Sequence, residues 1–352
     1  MKKIGILTFH YVDNYGAVLQ AWALRNFLNT YFNCHAEIIN YVPDGYMIYP
    51  YKHTSYGIDM MKRKRKVYED FLSEFCDINS SIIRTVTGNE YDYYCVGSDQ
   101  VWNMSFRENS RNEYLFPNLN INAKRFSYAA SIGGKIEEEN KVLFKKYLSR
   151  FDSISVREKS SENELREMGF KNIETSLDPT LLLESDKFEK LMKRPKKPAS
   201  DFILFFTYPI GEEVRQYTSF VNMLSRKYGL KIIHSLVDCE DYLLSNDGGT
   251  MMYEGIGEFL WYFKHAVVIV TSSYHCAIFG RVFNKPTFII KRDEGWIRME
   301  QLIDIFDLRN NVVENDWILH DWDIVNGYSG ENNRLNAERE KSIVFLKRVL
   351  NE

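Results

Sequence analysis

The sequence lacks the long apolar runs that membrane proteins carry. A spanning helix takes about 20 apolar residues, whereas the longest apolar stretches here, residues 203–206 and 266–270, have the length of buried strands. The first residues lead into a strand pattern, without the apolar core and small-residue cleavage site of a signal peptide. Neither a membrane span nor a secretion signal is therefore expected.

Cysteine is also scarce. The 352 residues include five cysteines, an odd number, scattered along the chain and never spaced as Cys-x-x-Cys. This usage argues against a disulfide framework and against a structural zinc site. Because free thiols persist in a reducing compartment, it favours a cytoplasmic location.

Neither sign of charge is in large excess. Lys and Arg total 45 against 48 for Asp and Glu, a net charge of -3. A protein that coats nucleic acid would carry a basic excess, so nucleic acid is not an expected partner. The seven histidines never pair at i, i+4, and no Gly-x-Gly-x-x-Gly follows the first strand. Neither a metal nor a dinucleotide cofactor is predicted.

What the sequence does have is an alternation of short apolar strands and amphipathic helices. This rhythm predicts an α/β protein with mostly parallel sheets covered on both faces. A basic segment punctuated by prolines at residues 193–200 predicts a linker. We expect a first Rossmann-like domain over residues 1–190, a second over 201–330, and a final amphipathic helix within 331–352.

In open parallel sheets, ligands bind beyond the carboxyl ends of the strands. One such end, residues 269–277, delivers Ser272, Ser273 and His275 to the start of a helix. A helix N-terminus favours an anion, and a histidine beside it can transfer a proton. The alternative is that a serine only caps the helix and that His275 is a core residue.

Two further strand ends carry polar side chains. Arg157 and Glu158 follow one strand, where a guanidinium can bind a phosphate or carboxylate, or can form a simple surface ion pair. Ser98, Asp99 and Trp102 follow another. Asp99 can orient or deprotonate a sugar hydroxyl and Trp102 can stack on the ring; the alternative is a turn with a core tryptophan.

The loop after the first strand ends in Asn14, Tyr15 and Gly16, at the start of a helix. It is either an acceptor-sugar or anion loop or a capping turn, and for Asp13, the residue before it, we expect helix capping. The basic run from Lys62 to Lys66 is either a patch for an acidic glycan, a lipid diphosphate or a membrane surface, or a solvated helix face.

Several motifs, in their order and spacing, resemble the polysaccharide pyruvyl transferase family. They lie between residues 3 and 310: Lys3-Ile4-Gly5-Ile6-Leu7-Thr8-Phe9-His10, Asn14-Tyr15-Gly16-Ala17, Val96-Gly97-Ser98-Asp99-Gln100-Val101-Trp102-Asn103, Ser127-Tyr128-Ala129-Ala130-Ser131, Ser155-Val156-Arg157-Glu158, Leu177-Asp178-Pro179-Thr180, Glu258-Phe259-Leu260, Thr271-Ser272-Ser273-Tyr274-His275 and Asn284-Lys285-Pro286.

The resemblance implies two Rossmann-like domains facing across a cleft, as in GT-B glycosyltransferases, with the acceptor on the N-terminal side and the donor on the C-terminal side. It implies transfer of a pyruvyl group from phosphoenolpyruvate to a sugar of a bacterial capsular or exopolysaccharide precursor, forming a ketal and releasing phosphate. The expected partners are phosphoenolpyruvate and a sugar or lipid-linked oligosaccharide. The expected location is the cytoplasm or the inner membrane surface, contacted through Lys62 to Lys66.

The resemblance also associates Arg157 and His275 with phosphoenolpyruvate. Many members carry an arginine two positions before this histidine, where this chain has Ser273. Arg298 or Arg309 would supply the missing charge. We expect His275 to act as the acid or to stabilise the phosphate, and Asp99 or Glu158 to act as the base.

Two other functions fit the same residues. One is a GT-B-type glycosyltransferase that uses a nucleotide sugar, because the architecture serves either donor. The other is a glycan-binding relative without catalysis. It is favoured by two departures from the motifs that the chain resembles: Ser273 in place of arginine, and Ser272, where a branch of the family commonly has aspartate.

Overall fold

The computed structural model describes residues 1–44, 55–78, 81–88, 90–105, 111–119, 122–207, 213–235, 244, 246–251, 254–292, 295–314, 316–324 and 332–351. The chain forms two compact units. Unit 1 comprises Met1–Leu183 and Arg334–Glu352, and unit 2 comprises Glu184–Asn333.

Unit 1 is built on a six-stranded parallel sheet with the strand order β2-β1-β3-β4-β5-β6. Strands and helices alternate along the chain, and short 3-10 helices lie at Arg111–Leu115 and Pro179–Leu182. The elements are β1 (Lys2–Leu7), α1 (Tyr15–Tyr31), β2 (Cys34–Ile38), α2 (Ser55–Cys76), β3 (Tyr93–Val96), β4 (Lys124–Ala130), α3 (Glu138–Leu148), β5 (Ser153–Val156), α4 (Lys159–Glu167) and β6 (Ile173–Thr175).

Unit 2 repeats this plan with the strand order β12-β11-β10-β7-β8-β9, again parallel. Its elements are α5 (Ser185–Glu189), β7 (Phe202–Phe206), α6 (Glu213–Tyr228), β8 (Lys231–His234), β9 (Asp247–Thr250), α7 (Ile256–His265), β10 (Val268–Thr271), α8 (Tyr274–Val282), β11 (Thr287–Ile290), α9 (Trp296–Phe306) and β12 (Val312–Val313).

One central strand of each sheet is buried along its whole length. Every residue of β3 and of β7 is buried, which requires helices on both faces of each sheet. In a sheet with one face exposed to solvent, buried and exposed residues would instead alternate along each strand. The predicted α/β class with two Rossmann-like, parallel units is confirmed.

The last helix, α10 (Asn333–Leu350), packs on unit 1. The Phe345 ring lies against the Tyr128 ring of β4, with the centroids 6.4 Å apart. Ser342 Oγ accepts a hydrogen bond from the Leu177 backbone N–H at 2.9 Å. The chain thus crosses between the units twice, at residues 183–184 and 333–334.

The boundary between the units falls earlier than the sequence indicated. The first domain was expected to extend to residue 190 and a linker to follow at residues 193–200. In the structure the whole segment 184–200 belongs to unit 2 and contains α5. The Phe188 ring of α5 packs edge-on against Phe279, with the centroids 5.4 Å apart, and this apolar contact joins the segment to unit 2. Among the described residues, no helix is long and apolar enough to cross a membrane.

Candidate functional site

The carboxyl edge of the unit 1 sheet gathers one arginine and three carboxylates. Arg157 follows β5, and its guanidinium is almost fully buried. Nε lies 3.1 Å from Glu158 Oε1, while Nη1 lies 3.2 Å from Asp178 Oδ2 and 3.6 Å from Asp99 Oδ1. Parallel strands end at the same edge, which is why residues distant in the chain meet here.

Asp99 keeps one carboxylate oxygen without a hydrogen-bond partner among the described residues. Its Oδ1 accepts from the Gln100 N–H at 2.9 Å and lies near Arg157, whereas Oδ2 makes no such contact in that part of the chain. The backbone of Asp99 is left-handed, with φ at 70°, a conformation that aspartate tolerates better than most residues. About an eighth of the Asp99 side chain, 12%, is exposed, so a ligand atom can reach this carboxylate.

Glu158 is held more completely. Its Oε1 is bound by Arg157 Nε, and its Oε2 accepts from Ser161 Oγ at 2.9 Å. Only 3% of the side chain is exposed. Of the two base candidates, Asp99 is therefore better placed to meet a substrate.

Ser98 and Trp102 are both buried, which favours the alternative of a turn with a core tryptophan over direct contact with a substrate. Ser98 is fully buried, and its hydroxyl donates to the Ala129 carbonyl at 2.9 Å, so it shapes the loop instead of contacting a substrate. Trp102 is also fully buried; its Nε1 donates to the Tyr114 carbonyl at 3.0 Å, and its ring packs edge-on against Phe144. The ring has no exposed face on which a sugar could stack.

The loop after β1 ends in a helix cap. Asn14 Oδ1 accepts from the Ala17 N–H at 3.1 Å, so Asn14 caps α1. Tyr15 is buried, with its ring 5.5 Å from that of Tyr68 on α2, and Gly16 is buried in the first turn. The cap thus falls on Asn14, one residue after Asp13, for which capping was expected. Substrate binding by Asn14, Tyr15 and Gly16 stays a prediction.

Within the basic run, two residues turn towards this loop. Arg65 on α2 donates to the Tyr11 carbonyl and lies 3.3 Å from Asp13 Oδ1. Burial lowers the pKa of Lys64, and the nearby Asp13 partly opposes that shift. The run is therefore not a uniform surface patch: Lys62, Arg63 and Lys66 are exposed, whereas Arg65 braces the loop after β1.

At the carboxyl edge of the unit 2 sheet, three hydroxyls form a row. Thr207, Ser235 and Ser272 directly follow the neighbouring strands β7, β8 and β10. Ser235 Oγ donates to the Thr207 carbonyl at 2.9 Å, and Thr207 Oγ1 lies 2.7 Å from Ser272 Oγ. Sequence analysis missed Thr207 and Ser235, although each is the first polar residue after a buried strand.

The row continues into the start of α8. Ser273 is the N-cap residue of α8, but its side chain makes no capping hydrogen bond; its N–H donates to Thr271 Oγ1 at 3.0 Å. His275 is partly exposed in the first turn, edge-on to the Tyr274 ring. Burial raises the pKa of the neighbouring Cys276 thiol to about 12, so this thiol stays protonated.

The two arginines that could supply the charge missing at Ser273 differ in their surroundings. Arg298 lies in the first turn of α9, is partly exposed and packs over Gly295. Arg309 is exposed and forms an ion pair with Asp304. Arg298 is thus the better candidate for a ligand contact, which stays a prediction. Among the described residues, no group of His, Cys, Asp or Glu is placed to hold a metal ion.

Comparison with known proteins adds a family and a fold. A family model for polysaccharide pyruvyl transferase matches residues 14–294. The S. aureus MnaA–UDP co-structure is similar over 100% of this chain and 97% of its own, with 12% identity and a TM-score of 0.54. The UDP-N-acetylglucosamine 2-epimerase of Rickettsia bellii is similar over 100% and 95%, with 12% identity and a TM-score of 0.51. No curated protein matches the chain. The structural likeness confirms the predicted GT-B-like fold.

Proposed function

The chain belongs to the polysaccharide pyruvyl transferase family, and from that membership we propose that it transfers the pyruvyl group of phosphoenolpyruvate to two hydroxyls of one sugar. The acceptor is a sugar of a cell-surface or exopolysaccharide precursor. The products are a pyruvate ketal and inorganic phosphate.

The reaction needs one acid and one base. A proton adds to the CH2 carbon of phosphoenolpyruvate, which leaves a cationic centre at C2. One sugar hydroxyl attacks C2 and loses its proton; the C–O bond to phosphate then breaks, and the second hydroxyl closes the ketal and loses its proton. The two protons released equal the one taken up at carbon and the one that leaves on phosphate, so no redox cofactor is required.

The main structural observation in support of this proposal is the arrangement of atoms around Asp99. A base must reach a sugar hydroxyl, and Asp99 presents an oxygen without a hydrogen-bond partner among the described residues, at an edge where ligands of parallel sheets bind. We assign Asp99 as the base. Glu158, whose two oxygens are both occupied, is the weaker candidate.

The carboxyl edge of unit 2 suits the donor. Phosphoenolpyruvate carries a phosphate and a carboxylate, and both are anions that hydroxyls and the start of a helix favour. Ser272 and Ser273 lie there with His275, which we assign as the acid or as the group that stabilises the leaving phosphate. Arg298 is proposed to add positive charge.

Two features bear on the proposed location, the cytoplasm or the inner membrane surface. The four described cysteines, Cys34, Cys76, Cys95 and Cys276, form no disulfide bond, as is usual in a reducing compartment. The exposed Lys62, Arg63 and Lys66 would provide a contact with anionic lipid, should the acceptor be lipid-linked.

The deciding experiment incubates the protein with phosphoenolpyruvate and a panel of galactosides, mannosides and N-acetylhexosamines. We expect phosphate release together with an acceptor heavier by one pyruvate less one water. Asp99→Asn should lower kcat by about 10²–10⁴-fold, because a positioned base contributes that much. The folded fraction, followed by circular dichroism, should not change.

Asp152→Asn is the matched control. Asp152 also accepts a backbone N–H, that of Arg125 at 2.8 Å, but it lies at the start of β4 and β5, at the opposite edge of the sheet. Its replacement should leave kcat within about 2-fold, because a surface change away from the site has little effect. Full activity in Asp99→Asn would remove Asp99 from the mechanism.

A second candidate is a glycosyltransferase that uses a nucleotide sugar, which the UDP in the S. aureus MnaA co-structure favours. A thermal-shift comparison separates the two, because a ligand stabilises the folded protein that binds it. Stabilisation by phosphoenolpyruvate supports pyruvyl transfer, and stabilisation by UDP sugars alone supports the rival. Glycan binding without phosphate release would indicate a non-catalytic relative.

A further inference from the structure

We propose that Asp178 is a positioning residue, which fixes the guanidinium of Arg157 and, through it, the carboxylate of Asp99. The motif around Asp178 has no role in the reaction described above. The proposal rests on the assignment of Asp99 as the base in pyruvyl transfer.

Both carboxylate oxygens of Asp178 accept hydrogen bonds, each from a different partner. Its Oδ1 accepts from the backbone N–H of Thr180 at 3.1 Å and from Thr180 Oγ1 at 2.6 Å, at the start of the 3-10 helix Pro179–Leu182. Its Oδ2 accepts from Arg157 Nη1 at 3.2 Å. One oxygen thus anchors the carboxylate to its own turn, and the other binds the arginine.

The nitrogen that Asp178 binds is also the one nearest to Asp99. Nη1 of Arg157 lies 3.2 Å from Asp178 Oδ2 and 3.6 Å from Asp99 Oδ1. A guanidinium is planar and rigid, so fixing Nη1 on one side fixes its distance to the carboxylate on the other. Water screens the charges of Arg157 and Asp99 only weakly in this buried position. The position of Nη1 therefore strongly affects the electrostatic environment of the Asp99 carboxylate.

The segment that carries Asp178 is itself held by α10. Ser342 Oγ accepts from the Leu177 N–H at 2.9 Å, and Arg339 Nε donates to the Leu181 carbonyl at 2.9 Å. These bonds lie on either side of Asp178 in sequence. Helix α10 begins at Asn333, after residue 294, where the family match ends.

Asp178 is not a catalytic residue in this arrangement. Its side chain is fully buried, so it cannot touch a substrate, and it acts only through Arg157. A positioning role predicts a specific change in the kinetic constants. Loss of the Asp178 charge should lower kcat, which depends on Asp99, while the KM values for acceptor and donor change little.

The experiment compares Asp178→Asn with Asp152→Asn. The asparagine at position 178 keeps the size and an oxygen for Thr180 but places an amide where Arg157 needs an anion. Asp152 also accepts a backbone N–H, but it lies at the opposite edge of the sheet, away from Arg157. We expect Asp178→Asn to lower kcat at least about 10-fold with KM within about 3-fold, and Asp152→Asn to keep kcat within about 2-fold.

Crystal structures of the wild type and of Asp178→Asn provide a readout that is independent of the reaction. We expect the Arg157 guanidinium to move relative to Asp99 in the variant. A guanidinium that stays in place, or equal losses of kcat in the two variants, overturns the proposal. If the wild type forms no ketal with any acceptor, the proposed function fails, and the position of Arg157 in the two crystals still decides the role of Asp178.

Discussion

At the residue scale, the carboxyl edge of the first sheet depends on the absence of a side chain at one position. Gly97 follows β3 with φ at 112°, a conformation that residues with a Cβ rarely adopt. A Cβ built there would overlap the carbonyl oxygen of Tyr128 on the neighbouring β4. The chain can therefore turn towards Asp99 only because residue 97 is glycine.

Gly97→Ala should destabilise the protein by at least about 2 kcal/mol, the sum of the backbone strain and the overlap. Urea unfolding followed by tryptophan fluorescence measures the change in the free energy of unfolding. Gly134→Ala is the control: a Cβ at Gly134 meets no atom within 4 Å, so its effect should stay within about 0.5 kcal/mol. Equal stability of the two variants would show that residue 97 needs no glycine.

The sequence could identify the residues of the edge but not their partners. Arg157, Glu158 and Asp99 were found because each follows an apolar strand. That Arg157 faces three carboxylates depends on which strands are neighbours, and strand order is not contained in the local pattern. Whether Trp102 stacks on a sugar or lies in the core stayed open for a similar reason, because the residues that cover its ring, Phe144 and Phe151, come from a later helix and loop.

At the element scale, the most regular segments could be predicted best. The helix α10 (Asn333–Leu350) lies within the predicted range 331–352, because its apolar residues recur at helical spacing. The strand β9 (Asp247–Thr250) was not predicted, since it contains two glycines and no large apolar side chain. It exists because it pairs with β8, a tertiary effect that outweighs strand propensity.

The attachment of α10 leads to a prediction about Ser342. Its hydroxyl donates to the Glu338 carbonyl at 2.8 Å and accepts from the buried Leu177 N–H. Ser342→Ala leaves that N–H without its acceptor, so the free energy of unfolding should fall by about 1–3 kcal/mol, as measured in urea.

Ser149→Ala is the corresponding control on α3. Ser149 Oγ donates to the Lys146 carbonyl at 3.1 Å, but the residue is exposed, so water replaces the lost bond. Its effect should remain within about 0.5 kcal/mol. If Ser342→Ala were equally mild, α10 would not be held to residues 177–182 through this hydroxyl.

At the scale of the whole molecule, the four described cysteines can serve as probes of the folding of both units. Cys34, Cys76 and Cys95 are buried in unit 1, and Cys276 is buried in unit 2. Burial raises the pKa of Cys76 and of Cys276 to about 12, and it also raises that of Cys95. The reactive thiolate is therefore rare at neutral pH, and access requires unfolding.

Labelling with a thiol reagent at pH 8 tests this expectation. In a Cys239→Ser background, which removes the one cysteine outside the described residues, the native protein should react at least about 100-fold more slowly than the urea-unfolded chain. Peptide mapping should show the three unit 1 thiols becoming labelled together. Rapid native labelling of any one of them would indicate local opening of that part of unit 1.

The division of the chain between the units also has a consequence for biosynthesis. Unit 2 is one continuous stretch, whereas unit 1 is completed by residues that follow it. A ribosome makes residues 1–183 first, yet the helix that covers Leu177 and Tyr128 emerges last. Because domains fold as their residues become available during synthesis, unit 2 can finish folding while the earlier-made unit still exposes the surface on which α10 will pack.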